Sequence, residues 1–285
     1  MTQDISTVKA RMRSVKNIRK ITRAMEMVSM VKLNRVRSSL FSMRNYFGKI
    51  GSILNDFLAH TGYVSHPFLE EREKSGKVGL CIITSDTGLC SVYNDAVIKA
   101  SEVFIEKFRK ENVRLVTVGK EGHEYFKRHG LSIKASYLDL HGRYSPKLSC
   151  EIVKNLTGLF LGHEVDEVYL AYTHFESTLH HKPRVEKFVN IKFTAGDYKD
   201  YLILEPDING VADALIPKYL CEKLNLALLE ALTSEHAARM FAMKTATDNA
   251  DDLMDELTLL RNKARQAAIT KEVIEIASGA EAMKE

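Results

Sequence analysis

The chain has 285 residues, 45% of them hydrophobic and 27% charged, which is the composition of a soluble folded protein. No apolar run reaches the eighteen or so residues that cross a bilayer. The four cysteines, Cys81, Cys90, Cys150 and Cys221, lack a CxxC spacing and read as reduced thiols rather than a secreted disulfide scaffold. The net charge is only +4, yet residues 1–47 carry 11 Lys/Arg against Asp4 and Glu26, so that stretch is +9 and the remainder −5. Such an asymmetry calls for an acidic partner at one end of the chain.

The first predicted element starts at the N-terminus. Residues 1–47 contain neither glycine nor proline, enough for a helix of roughly 70 Å. Ile5, Val8, Met12, Val15, Ile18, Ile21, Met25 and Val28 form an apolar stripe with one short step. After a slip, Leu33, Val36, Leu40, Met43, Phe47, Ile50, Leu54 and Phe57 alternate by three and four. The stripe runs through Gly48 and Gly51, so the helix is predicted to reach about Leu58. Its basic, acid-poor start superficially resembles a transit peptide, but the periodicity begins at Ile5 and marks it as mature protein.

The period then shortens. Residues 78–84 form a short apolar run, the pattern of a fully buried strand. A helix over 94–110, a strand over 113–118, a helix over 121–129, a strand over 132–136, a helix over 146–161 and a strand over 167–172 follow. Strands alternating with helices predict a parallel sheet covered by helices. Arg184 to Phe193 and Tyr201 to Leu204 read as further, antiparallel strands, and residues 205–210 as a turn.

The last element is again long, because residues 218–278 hold no glycine or proline; that is a helix of roughly 90 Å. Leu220, Leu224, Leu228 and Leu232 recur at four, and Ala250, Leu253, Leu257, Leu260, Ala264 and Ala267 at three and four. Two long helices attached to one central domain suggest an antiparallel pair, with an intermolecular coiled coil as the alternative. The fold class is therefore α/β: an antiparallel coiled coil of long N- and C-terminal helices (residues 1–60 and 208–285) plus a central Rossmann-like, mostly parallel-sheet domain (residues 76–207).

Chemistry is sparse along this frame. The loop after the first strand, Ser85-Asp-Thr-Gly-Leu-Cys-Ser-Val-Tyr93, has one glycine, and no phosphate-cradling GxGxxG or GxxxxGK[ST] occurs. His123-Glu124 and His163-Glu164 begin an HExxH pattern, but Lys127 and Glu167 stand at its fifth position. His180 and His181 are adjacent and would point apart on a strand. Cys90 follows a strand end, but no neighbouring base or oxyanion hole activates it. The sequence thus suggests no catalytic, cofactor or metal residues. The basic first helix could instead contact nucleic-acid phosphates through Lys9, Arg11, Arg13, Lys16, Arg19, Lys20 and Arg23, although interleaved aromatics and a reading motif are missing. An α/β enzyme with helical arms is the other competing class.

Two segments carry a specific likeness: Ile21-Thr-Arg-Ala-Met-Glu-Met-Val28, and residues 261–280, RNKARQAAITKEVIEIASGA. With Asp86-Thr-Gly-Leu-Cys90, Glu205-Pro-Asp207, Ser234-Glu-His-Ala-Ala-Arg-Met240 and Met243-Lys-Thr-Ala-Thr-Asp-Asn249, the chain resembles, in order and over its whole length, the gamma subunit of F-type ATP synthases. It departs from the family pattern at Ser91-Val92, where glycines usually follow the cysteine, so a different loop geometry is expected there. Arg261 replaces a common aromatic and Ala250 a common glycine. The cysteine-bearing insert of the chloroplast form is missing.

The resemblance implies a non-catalytic rotor shaft turning inside a ring of alpha and beta subunits, in single copy, its foot on the epsilon subunit and the membrane c-ring. It implies no cofactor and no nucleic acid, and a peripheral place on the cytoplasmic face of a bacterial inner membrane. It assigns Arg23, Met25, Arg265, Gln266, Ile269 and Thr270 to contacts with beta-subunit loops and the bearing, and Glu205 and Asp207 to the c-ring and epsilon. Helix lengths further predict an unpaired C-terminal tip of about 20 residues, beginning near Ala267.

Overall fold

The computed structural model describes residues 5–61, 64–69, 76–189 and 204–282. Helix α1 spans Ile5–Thr61 and helix α5 spans Ile208–Ala282. Between them lie β1 (Val78–Ile83), α2 (Tyr93–Ile105), β2 (Val113–Val118), α3 (Lys120–Arg128), β3 (Ile133–Tyr137), α4 (Pro146–Leu161), β4 (Glu167–Phe175) and β5 (His181–Lys187). Packing divides the chain into two compact units: Met30–Arg239, and Met1–Ser29 with Met240–Glu285. Each long helix contributes to both.

The larger unit is built on a five-stranded sheet of order β3-β2-β1-β4-β5. β1 pairs in parallel with β2 (Val78 with Val113) and with β4 (Val78 with Glu167), and β3 extends the parallel set beside β2. β5 runs antiparallel to β4, with Tyr169 opposite Lys187. All six residues of β1 are buried, as expected of a strand with neighbours on both sides and helices on both faces. Val78, Leu80 and Ile82 face a core shared with Val97, Ile98 and Ile105 of α2 and Phe126 of α3. Cys81 and Ile83 face the other way, toward α4 (Ile152, Leu156, Phe160), α1 (Ile50, Leu54, Phe57) and α5 (Leu220, Leu224, Leu228). The period-two alternation of β1 thus separates two cores. The leucines at four-residue steps in α5 serve the sheet as well as the helix pair.

The strands predicted at 184–193 and 201–204 are met only in part. β5 begins at His181 and ends at Lys187; Leu204 is not in a strand, and 190–193 and 201–203 lie outside the described residues. α5 begins ten residues before the proline-free run. Asp207 caps it, its Oδ1 accepting the Gly210 N–H at 2.9 Å. Pro217 lies inside the helix without ending it, because buried Ala212, Ile216, Tyr219 and Leu220 hold the surrounding turns against the core. Gly119, at the start of α3, has φ +93°, and a Cβ there would fall 2.2 Å from the Thr84 carbonyl oxygen, so no other residue fits.

In the smaller unit α1 and α5 run antiparallel. The Thr22 and Thr247 hydroxyls lie 2.8 Å apart, and Arg19 Nε lies 2.6 Å from Asp251 Oδ1: a step of three down α1 meets a step of four up α5. The buried line on α1 is Val8, Met12, Val15, Arg19, Thr22, Glu26 and Ser29, each buried or half-buried. Its steps of four and three continue without a break into Leu33, Val36, Leu40 and Met43. The slip predicted from sequence does not exist. Ile18, Ile21 and Val28, placed on the stripe by their hydrophobicity, are instead 50%, 59% and 54% exposed. On α5 the seam is Met243, Thr247, Ala250, Met254, Leu257, Arg261 and Ala264, not the predicted Leu253 and Leu260, which are exposed. Thr22, Ser29, Thr247 and Ala250 share the contact with Val8, Met243 and Leu257, while Ile18, Ile21 and Val28 turn outward.

Candidate functional site

The loop after β1 shows how the carboxyl end of a parallel sheet, the usual place for a ligand, is arranged. Asp86 accepts three backbone N–H groups, from Lys120 (3.2 Å), Asp139 (3.1 Å) and His141 (2.7 Å). Lys120 is the first residue of α3, so the chain's own carboxylate stands where α3 presents its positive end. Arg239 of α5 donates to the Thr87 carbonyl at 2.8 Å and pairs with Glu235 at 2.6 Å. Ser85, Cys90 and Asn94 close the loop: the Asn94 amide donates to Ser85 Oγ at 2.8 Å and to Cys90 Sγ at 3.3 Å. The segments Asp86–Cys90 and Ser234–Met240, both quoted above for their likeness, are partners in one clamp. Nothing local in the sequence announced it, because the residues are about 150 positions apart.

Burial governs the electrostatics here. It pushes up the Cys90 thiol and the Glu235 carboxyl, the latter against the pull of Arg239. It lowers His236 to about 4, helped by the Arg239 and Lys32 charges. A thiol held above its ordinary range is a poor nucleophile at neutral pH, so Cys90 packs and accepts rather than reacts. Among the described residues no three His, Cys, Asp or Glu side chains gather as metal ligands, and no helix is long and apolar enough to cross a membrane.

The sequence-derived contact residues form separate groups. Arg23 is exposed and Met25 half-buried on α1. Arg265, Gln266, Ile269 and Thr270 are all exposed on α5, where every described residue from 265 to 279 is exposed. The Thr22–Thr247 level places Arg265 about 27 Å along the helix pair from Arg23, so the structure does not bring these two arginines together. Neither makes an ion pair among the described residues. Glu205 and Asp207 are exposed, and Asp207 has the capping duty described above. Sequence reasoning missed the exposed apolar residues of α1 that lie off the seam: Ile18, Ile21, Met27, Val28, Met30 and Val31, each 44–69% exposed. An unbroken heptad count from Val8 would have found them.

The family model described as ATP synthase matches residues 4–283. The ATP synthase gamma chain of Protochlamydia amoebophila is 38% identical over 97% of this chain and 98% of its own length, and that of Alkaliphilus metalliredigens is equally similar over the same shares. This chain belongs to the ATP synthase gamma chain family. Solved structures share its fold. A chain of the Euglena gracilis mitochondrial ATP synthase (OSCP/F1/c-ring, rotational state 3) superposes with a TM-score of 0.68 at 18% identity, over 98% of this chain and 94% of that one. A chain of the Tetrahymena thermophila mitochondrial ATP synthase central stalk and c-ring gives 0.64 at 22% identity, over 79% of this chain and 99% of that one. The loop clamp and the helix pair are internal contacts of the chain, and the outward faces of α1 and α5 carry its exposed apolar residues.

Proposed function

We propose that this gamma chain is the central rotor shaft of an F-type ATP synthase, coupling ion flow through the membrane c-ring to ATP synthesis or hydrolysis at beta-subunit sites. It is not an enzyme by itself. It sits in single copy within the alpha–beta ring and meets epsilon and the c-ring at its foot, on the cytoplasmic face of a bacterial inner membrane. Residues 1–60 and 208–285 act as the shaft and 76–207 as the foot domain. The observation that carries this reading is the full-length family match borne by a helix pair with an apolar outer face. α1 turns Ile18, Ile21 and Val28 outward, and α5 continues as exposed helix with Ile269, Val273, Ile274 and Ile276 at 53–67% exposure. Large apolar side chains left in water on a packed helix pair mark a surface that a partner covers.

A shaft shifts a beta subunit between open and closed forms only if it contacts them with different free energies. In this reading Arg23, Met25, Arg265, Gln266, Ile269 and Thr270 make those unequal contacts, and Glu205 and Asp207 face the c-ring and epsilon. Exposed charges contribute about 0–1 kcal/mol each, so Arg23 and Arg265 set angular register, and the apolar tip holds the shaft in its bearing. The test is coupling in reconstituted membranes. Truncation after Ile269, or Arg23→Glu with Arg265→Glu, is expected to cut proton-driven ATP synthesis several-fold while the alpha–beta ring still assembles and hydrolyses ATP. Unchanged synthesis in the truncated complex would contradict the reading.

A further inference from the structure

Within the larger unit, a cavity of about 390 Å³ opens between α1, α5 and the loop that joins β3 to α4. Its charged wall is of one sign: Lys32 and Arg35 from α1 and Arg143 from the loop, with no Asp or Glu lining it. None of the three side chains makes an ion pair or hydrogen bond among the described residues. The nearby cations Arg44 and Arg239 are paired with Glu230 and Glu235, whereas Lys32 acts on the buried Glu235 without an ion-pair contact. A second observation is independent of these charges. His236 lines the same cavity, is only 6% exposed, and its Nδ1 is buried without a hydrogen-bond partner. Buried polar atoms are nearly always paired; the unpaired Nδ1 lies behind the cavity surface, so His236 is a buried polar residue at the inner wall rather than a direct ligand.

We propose that this cavity binds a small polyphosphate anion, its charge taken by Lys32, Arg35 and Arg143, with His236 at the inner wall and Leu232 and Tyr144 as the apolar side. The size falls within the range of small-molecule sites, about 300–1,000 Å³. Three unpaired cations around low-dielectric walls concentrate positive potential in one place, and guanidinium groups match phosphate oxygens bidentately. A compact polyphosphate brings several negative charges into that volume. An acidic peptide spreads single carboxylates along about 3.3–3.6 Å of backbone per residue, which fits an extended groove better than a cavity. The site is independent of the shaft reading: it adds a ligand-sensing point on a subunit that holds no catalytic nucleotide.

The test is calorimetric titration of the purified full-length chain with pyrophosphate at constant ionic strength, with ATP and a hexa-aspartate peptide as parallel arms. Saturable binding at one site is expected, weakened at least tenfold by Lys32→Gln and by Arg143→Ala. Lys127→Ala, an exposed cation outside the cavity, should leave it unchanged. The His236 ring resonances should shift on adding pyrophosphate to the wild-type chain, and circular dichroism checks that each variant is folded. Tighter binding of ATP than of pyrophosphate supports the same site with its apolar side engaged. No saturable binding, an equal loss in all three variants, or a peptide that binds more tightly and that pyrophosphate does not displace would each overturn the proposal.

Discussion

Ser91 has φ +54° and Leu89 φ +61°, both in the left-handed region that costs an L-residue roughly 1–2 kcal/mol. The departure from glycine at Ser91-Val92 led to the expectation of a different loop geometry. In this chain the serine adopts the left-handed backbone that a glycine takes without strain, beside the Asp86 and Arg239 clamp on the same loop. Ser91→Gly is therefore expected to raise the unfolding free energy by about 1 kcal/mol, seen as a higher urea midpoint at unchanged slope. His236 makes a second residue-scale prediction. Its folded value of about 4 lies below the ordinary 6.5, so between those values the unfolded chain binds the extra proton. Stability is then complete above pH 6.5 and falls as pH drops toward 4, by up to about 3 kcal/mol. Glu235, raised by burial, acts in the opposite sense, so the comparison is with His236→Gln. That variant should lose the acid-side slope between pH 6.5 and 4 in urea titrations.

At the scale of the element, the seam decides which substitutions the helix pair feels. Val8 is fully buried on it, whereas Ile21 is 59% exposed off it. Val8→Asp should cost at least about 3 kcal/mol, because it buries a charge without a partner. Ile21→Asp should change stability by no more than about 0.5 kcal/mol while weakening assembly with the ring; thermal melts and pull-down with alpha and beta subunits read the two effects. Sequence alone placed Ile21 on the same stripe as Val8, and the reason for the difference is physical. Apolar periodicity assumes that the largest hydrophobic side chains mark the contact. Here Thr22, Ser29, Thr247 and Ala250 take seam positions, and Ile18 and Ile21 are left exposed. Strands β1 and β2 and helix α4 were legible almost to the residue, because buried parallel strands are continuous apolar runs and Ser145-Pro146 is a helix start, with Ser145 Oγ accepting the Leu148 N–H. The clamp of Arg239 on Thr87 and Gly88 was not, since no local pattern records a partner so far away in sequence. The proposed contact residues rest on resemblance alone, because exposed arginines on a helix look alike until something sits on them.

At the scale of the whole molecule, buried carboxylates among the described residues are met by the chain's own donors. Buried Glu230 accepts from Arg44 at 2.7 and 2.8 Å, from the Phe175 N–H at 2.8 Å, and lies 3.2 Å from His174 Nδ1. Asp86 and Arg239 hold the loop at the sheet's carboxyl end. Among the described residues, the apolar outer surface of α1 and α5 and the cations Lys32, Arg35 and Arg143 are left without partners. The central claim is that this subunit turns while the ring around it does the chemistry. The most direct measurement immobilises the alpha–beta ring, attaches a bead to a cysteine placed at exposed Lys107, and supplies ATP. Sustained rotation in one direction, stepping three times per turn with the three beta subunits, is the predicted result. A bead that stays fixed while the same ring hydrolyses ATP at full rate would contradict it.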